Sequence, residues 1–259
     1  MANWRRFYLI RIEFLGFRYH GWQKQTEYRS VQGMIDKTLL FIFGHEYFKT
    51  LGCGRTDAKV SANDFAFELF LRNPIDIDTF LVSLNNNLPS DIRVKSIVEV
   101  DSDFNIIQNS KFKEYHYYFS SGDKSHPFNA PLVRDFGKSL DIPLMKEAAK
   151  CFLGTHNFKR YASKPKANTV FEREIITSEI ILNDKITGSF LPEKSYVFKV
   201  KSKGFLRYQV RLMFGAIVNV GRGEFSLNDI RESLENFNGR QIKHIAPSSG
   251  LVLNKVVFH

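Results

Sequence analysis

Tyr8, Ile10, Ile12 and Phe14 alternate with Leu9, Arg11 and Glu13, the period-two pattern of a strand that buries one face. Beyond Ser30 the repeat lengthens. Val31, Ile35, Leu39 and Ile42 recur at helical spacing, so a serine cap followed by that stripe predicts an amphipathic helix ending near Gly44. Phe65, Phe67, Leu69 and Leu71 alternate again, a short helix is predicted from Asp76 to Leu84, and Val94, Ser96, Val98 and Val100 predict another strand.

From Asp101 to Ser110 the pattern lapses into polar residues, and a second series opens with Tyr115, Tyr117 and Phe119. Helices are predicted near Pro143–Leu153 and Arg207–Val220, with strands near Ile175–Leu182, Tyr196–Lys201 and Leu251–Phe258. Ser226 and Asp229 stand in capping-box positions before the stripe Ile230, Leu234 and Phe237. Neither a sequence repeat nor a low-complexity tract is visible. The expected fold is α+β, with two mixed α/β domains built on antiparallel sheets and divided at residues 1–106 and 107–259.

Charge adds a partner to this picture. Lysine and arginine number 37 against 27 aspartates and glutamates, a formal net charge of +10 that favours a polyanion such as nucleic acid, although solubility alone is a sufficient use of it. The 25 Phe, 10 Tyr and 2 Trp supply rings that can stack on unpaired bases, while most of the phenylalanines belong to the core. Cys53 and Cys151 are far apart and form no C-x-x-C pair, which argues against a disulfide framework or a structural zinc site. The run Phe7–Ile10 is too short for a signal-peptide core and no later run could span a bilayer, so a soluble cytoplasmic protein without a membrane partner is expected.

Chemistry concentrates in "GCGRTDAKVS", Gly52–Ser61, between a predicted helix and a predicted strand. Glycines there permit close approach of a ligand, and a loop is a common place for function. On these residues alone Thr56-Asp57 also fits a cap or an Asx-turn, and the spacing is not that of a phosphate-binding loop.

The string has company. "GFRYHGWQKQ" (Gly16–Gln25) followed by "SVQ" (Ser30–Gln32), then "GRTDA" (Gly54–Ala58), "NNNLPSDIRV" (Asn85–Val94), "KEYHYYF" (Lys113–Phe119), "FLGTHNF" (Phe152–Phe158) and "GFLRYQVRLMFGAIVNVGRG" (Gly204–Gly223) fall in one order and spacing. In these six motifs the sequence resembles the TruA family of tRNA pseudouridine synthases from end to end. The resemblance implies a pseudouridine synthase-like fold with an active-site cleft between the domains, and an isomerase that acts on RNA without metal or organic cofactor. Isomerising uridine breaks the bond between base and ribose and rejoins the base through carbon, so the nucleotide must be flipped out. A carboxylate suits such glycosidic work, whether it attacks the sugar carbon or removes a proton beside it.

By that resemblance Asp57 is the nucleophile, Arg55 helps hold the target nucleotide open, Tyr115 packs against the flipped uracil, and Arg211 pairs with the aspartate and favours its ionised form. On pattern alone Tyr115 could equally be a core strand tyrosine, and Arg211 a solvated helix arginine. Lys159, Arg160, Lys164, Lys166, Lys199, Lys201, Lys203 and Arg207 could track phosphates, though each by itself reads as surface charge. The family's partner is tRNA, usually the anticodon stem-loop, held by a homodimer.

Some neighbours depart from the family pattern. Lys59-Val60-Ser61-Ala62 stands where Gly-Val-His-Ala is usual, Phe14-Leu15-Gly16 where Tyr-Asp-Gly is usual, and Phe104-Asn105-Ile106-Ile107 where Phe-His-Ala-Arg is usual. Arg207-Tyr208-Gln209 occupies positions where aromatic or histidine residues and methionine are common. These changes spare the site residues and bear on substrate choice: another tRNA position, ribosomal RNA, or a catalytically silent RNA-binding role on the same fold.

Overall fold

A computed structural model describes residues 4–137 and 140–259. In chain order its elements are β1 (Arg6–Phe14), α1 (Val31–Phe43), β2 (Lys49–Gly52), β3 (Ser61–Leu71), α2 (Ile77–Asn87), β4 (Ile92–Val100), β5 (Ser110–Ser120) and β6 (Arg134–Asp135). There follow α3 (Ile142–Lys150), β7 (Gly154–Asn157), β8 (Glu172–Leu182), β9 (Tyr196–Ser202), α4 (Gln209–Gly221), α5 (Leu227–Glu235) and β10 (Leu251–Phe258). The chain divides into two compact units: residues 1–111 with 253–259, and residues 112–252. The division falls after Lys111 rather than at 106/107, and the C-terminal strand returns to the first unit.

In the first unit the strand order is β4-β1-β3-β10, with β2 also paired to β3. β1 runs antiparallel to β3, Ile10 opposite Phe67 and Ile12 opposite Phe65, and on its other edge antiparallel to β4. The alternating side chains Tyr8, Ile10, Ile12 and Phe14 are buried, as period-two patterning requires. α1 begins where Ser30 Oγ accepts a hydrogen bond from the Gly33 N–H at 3.2 Å and ends at Gly44. Its Phe43 stacks on Phe80 of α2 at 5.3 Å.

In the second unit the order is β5-β9-β8-β7, antiparallel throughout, and β6 adds to β5 in parallel. That parallel pair is a short addition to the antiparallel arrangement expected. Phe214 of α4 centres the core, with ring centroids 4.2 Å from Tyr117, 4.9 Å from Phe119, 5.4 Å from Phe198 and 5.8 Å from Phe136. α5 carries the predicted capping box, Ser226 and Asp229 bonding each other's backbone N–H. β2, β6 and β7 are too short to show a period, and the sequence pattern misses them.

Phe214 touches four aromatic rings, so its removal opens a cavity that its neighbours fill poorly. Phe214→Ala is expected to lower the unfolding free energy by about 3–5 kcal/mol, read from urea denaturation followed by circular dichroism.

Candidate active site

Asp57 lies in the loop that joins β2 to β3. The neighbouring loop from Gly16 to Gln25 is pressed onto it backbone to backbone: a Cβ on Gly16 would stand 2.0 Å from the Val60 carbonyl oxygen, and one on Gly21, whose φ is +87°, 2.2 Å from that of Thr56. Side chains at those two positions would push the loops apart. Three hydrogen bonds seal the approach: the Lys59 N–H donates to Tyr19 O at 2.9 Å, the Trp22 N–H to Thr56 O at 3.4 Å, and the Gly16 N–H to Ser61 Oγ at 2.9 Å. The Val60 N–H closes a turn on Asp57 O at 3.2 Å, and the Cys53 N–H bonds Ala66 O at 2.9 Å. Asp57 itself is half-buried and Arg55 exposed. Next to Asp57, Thr56 Oγ1 is buried and meets no hydrogen-bond partner among the described residues. Such a group costs about 1–3 kcal/mol, and functional sites are where such costs gather.

The motif residues around this loop are its braces. Tyr19 Oη donates to Asp91 Oδ1 at 2.6 Å, and the Arg18 guanidinium meets Asp91 Oδ2 at 2.7 and 2.8 Å, so "GFRYHGWQKQ" is tied to "NNNLPSDIRV". Burial, then the bond to Asp91, pushes the Tyr19 hydroxyl up to about 12, so it keeps its proton as a donor at neutral pH. Asn85 receives the Val94 N–H and donates to the Val94 carbonyl, closing the second motif on itself. Gln32 of "SVQ" accepts from Gln23 Nε2 and the Lys24 N–H and donates to Thr50, joining the Gly16–Gln25 loop to β2. The indole of Trp22 packs on Phe65 at 4.3 Å.

The departures from the family pattern have local explanations. Lys59 has φ +67°, the left-handed conformation natural to the glycine usual there, and its ammonium lies 5.6 Å from the centroid of the Phe17 ring. Ser61 is buried and takes the Gly16 N–H as its donor. Asn105 Oδ1 accepts from the N–H groups of Ile107 and Gln108, an Asx-turn, while Ile106 is buried and Ile107 is 59% exposed.

In the second unit, Tyr115 sits on β5 opposite Val200, half-buried, its ring edge-on to Phe205 at 5.4 Å and 85°. Tyr117 and Phe119, on the same face, are fully buried, and Tyr117 Oη donates to Pro247 O at 2.6 Å. The core role falls to those two, and Tyr115 keeps part of its surface exposed. Arg211 lies in the first turn of α4, half-buried rather than solvated: its Nε donates to Ala246 O at 2.7 Å and its own carbonyl accepts the Ala246 N–H at 3.1 Å. The Tyr208 ring is contacted by both neighbouring guanidinium groups, Arg211 at 4.9 Å and Arg207 at 5.1 Å. Tyr208 has φ +63°, ψ +4°, which starts α4 at Gln209 instead of at Arg207. A bulky residue held there costs about 1–3 kcal/mol. This strained cap escapes sequence reasoning because tyrosine carries no signal for a left-handed conformation.

Arg55 and Asp57 thus share one loop of the first unit, and Tyr115 and Arg211 belong to the second. Among the basic residues expected to track phosphates, Arg160 is a staple, its Nε donating to Arg240 O at 2.7 Å, and Lys201 lies 3.8 Å over the Phe112 ring.

The profile of the family described as tRNA pseudouridine synthase matches residues 148–259. The tRNA pseudouridine synthase A of Thermodesulfovibrio yellowstonii is 32% identical over 255 residues, covering 96% of this chain and 98% of that protein. The protein of the same name from Clostridium botulinum is 32% identical over 247 residues, covering 95% and 97%, and that of Mesoplasma florum 32% over 260 residues, covering 97% and 98%. The chain belongs to the tRNA pseudouridine synthase A family. Membership extends over both units, and the segment that the family profile matches contains Tyr208 and Arg211. Among the described residues no helix is long and apolar enough to cross a membrane.

Strain at Lys59 is measurable. Relief of about 1–2 kcal/mol outweighs the extra chain entropy of glycine, roughly 0.5–1 kcal/mol, so Lys59→Gly is expected to stabilise the protein by about 0.5–1 kcal/mol. Lys59→Ala keeps the strain and is expected to bring no gain. Paired denaturant titrations check both, and equal midpoints for the two variants would remove the strain argument.

Proposed function

We propose that this chain is an RNA pseudouridine synthase that isomerises specific uridines of tRNA to pseudouridine, with Asp57 as the nucleophile and Arg55, Tyr115 and Arg211 receiving the target nucleotide. Kinship over nearly the full length with tRNA pseudouridine synthase A proteins supports the activity. What carries the assignment to Asp57 is its setting, a half-buried carboxylate on a loop whose backbone is gripped by the Gly16–Gln25 segment. Such a carboxylate is held still without being sealed off, as a group must be if it is to meet a flipped-out nucleotide.

The reaction is redox-neutral. The bond from base nitrogen to C1′ breaks, a bond from base carbon to C1′ forms, and the proton leaving that carbon is balanced by one gained at the freed nitrogen. Asp57 serves it either by attacking C1′ or by taking a proton from the neighbouring sugar carbon, and in both cases the ionised form acts. Neither route calls for a metal or an organic cofactor.

The finer reading places the target uridines in the anticodon stem-loop, in the cytoplasm, with a homodimer as the working form. A second reading keeps the chemistry and moves the target to another tRNA position or to ribosomal RNA. It is favoured by Lys59 and by the exposed Ile107, which put a charge and an apolar surface where the family usually has glycine and arginine. A catalytically silent RNA-binding role is the remaining alternative.

Asp57→Asn is expected to leave RNA affinity within a few-fold while pseudouridine formation falls below about one thousandth of the parent rate, since nucleophile replacements cost at least that much. Carbodiimide mapping of host RNA from cells carrying either form checks this. Sites lost in the variant identify the substrate, and identical maps would leave the silent RNA-binding reading in possession.

A further inference from the structure

Beside the gripped loop, two rings stand out that the braces do not use. His20 and Tyr28 stack on each other at 4.5 Å and 33°, both exposed, with half of Tyr28's surface open to solvent. Their backbone is fixed: the His20 N–H donates to Arg29 O at 2.8 Å, and the Val31 N–H to Gly21 O at 3.1 Å. His20 is flanked by Tyr19, whose carbonyl holds the Lys59 N–H, and by Gly21, which packs on the Thr56 carbonyl. His20 therefore stands on the same backbone that fixes Asp57, one residue from a contact with its loop on either side, and Tyr28 lies against the His20 ring.

We propose that His20 and Tyr28 form a stacking platform for an unpaired RNA base neighbouring the target uridine. The inference deepens the synthase reading and rests on it. Flipping a nucleotide out leaves its neighbours with a bare π-face, and a ring that receives one of them offsets part of the unstacking cost. The setting suits a polyanion. Arg18, Lys24 and Arg29 are exposed on the same segment, Arg18 and Lys24 being also engaged by Asp91 and Asp36, Glu27 is the carboxylate next to Tyr28 in the chain, and Arg55 and Lys59 are exposed on the loop that this segment grips. The Arg29 guanidinium lies over the Tyr19 ring, 5.1 Å from its centroid.

The probe is an unmodified tRNA transcript, bound to Tyr28→Ala, Tyr28→Phe and the parent, each with and without Asp57→Asn. Tyr28→Ala is expected to weaken binding about tenfold and raise KM in step, and Tyr28→Phe to restore both, since the ring and not the hydroxyl stacks. A Tyr28→Ala protein that binds like the parent but melts at a lower temperature would make the pair a mere loop brace and overturn the proposal. So would a Tyr28→Phe protein as weak as Tyr28→Ala. The two readings fail separately. Ring-dependent binding with no pseudouridine from the parent would keep the platform and sink the synthase, whereas pseudouridine formed by Tyr28→Ala at the parent KM would keep the synthase and sink the platform.

Discussion

Everything around Asp57 depends on two polypeptide backbones approaching more closely than side chains allow. Gly16 and Gly21 let the first loop lie against the carbonyl oxygens of Val60 and Thr56, and N–H groups from both segments then close the contact. Backbone contacts of this kind are stiff, because no rotamer can absorb a shift. A carboxylate two bonds from such a backbone has little freedom beyond its own χ angles, which is the geometric demand that nucleophilic work makes. The aspartate's position is thus set by glycines and carbonyls some forty residues apart in sequence.

Holding that contact requires a second tier of interactions, and these are polar and for the most part partly buried. Asp91 takes both Tyr19 and Arg18, Asn85 holds Val94 at its donor and its acceptor, and Gln32 uses its amide in both directions. A buried amide or carboxylate left without partners is costly, so each such group specifies one arrangement of its loop and disfavours the others. Several motif residues that look like candidates for chemistry are therefore fully occupied in holding the chain.

This explains what could be read from the sequence and what could not. β1, α1, β3, α5 and β10 follow directly from alternation, stripe and cap, with Ser30, Gly44 and Ser226 marking their ends as expected. The choice of Asp57, Tyr115 and Arg211 as candidates comes from the family resemblance of the motifs, but motif spacing is silent on environment. That Arg211 is anchored to Ala246 and lies against Tyr208, or that Tyr115 keeps an open edge while Tyr117 is sealed, depends on contacts distant in sequence. The strands β2, β6 and β7 were hidden for a different reason, being too short to repeat anything. The strain at Lys59 and Tyr208 was hidden because the residues in those left-handed positions are not the ones that usually mark them.

The departures from the family pattern then take on a common sense. Ser61 accepts a hydrogen bond from the Gly16 N–H, and Lys59 adopts a left-handed conformation that glycine would take without strain, so both residues fit the tight contact around Asp57. What does change is the outward chemistry, a lysine ammonium beside Phe17 and an isoleucine at position 107 in place of an arginine. Strain is tolerated at Lys59 where the backbone contact demands it, while the side chains of Lys59 and Ile107 point their chemistry outward. The paired rings of His20 and Tyr28 belong to that outward surface, and His20 lies one residue from the fixed backbone, so a change of side chain there leaves the contact beside Asp57 in place.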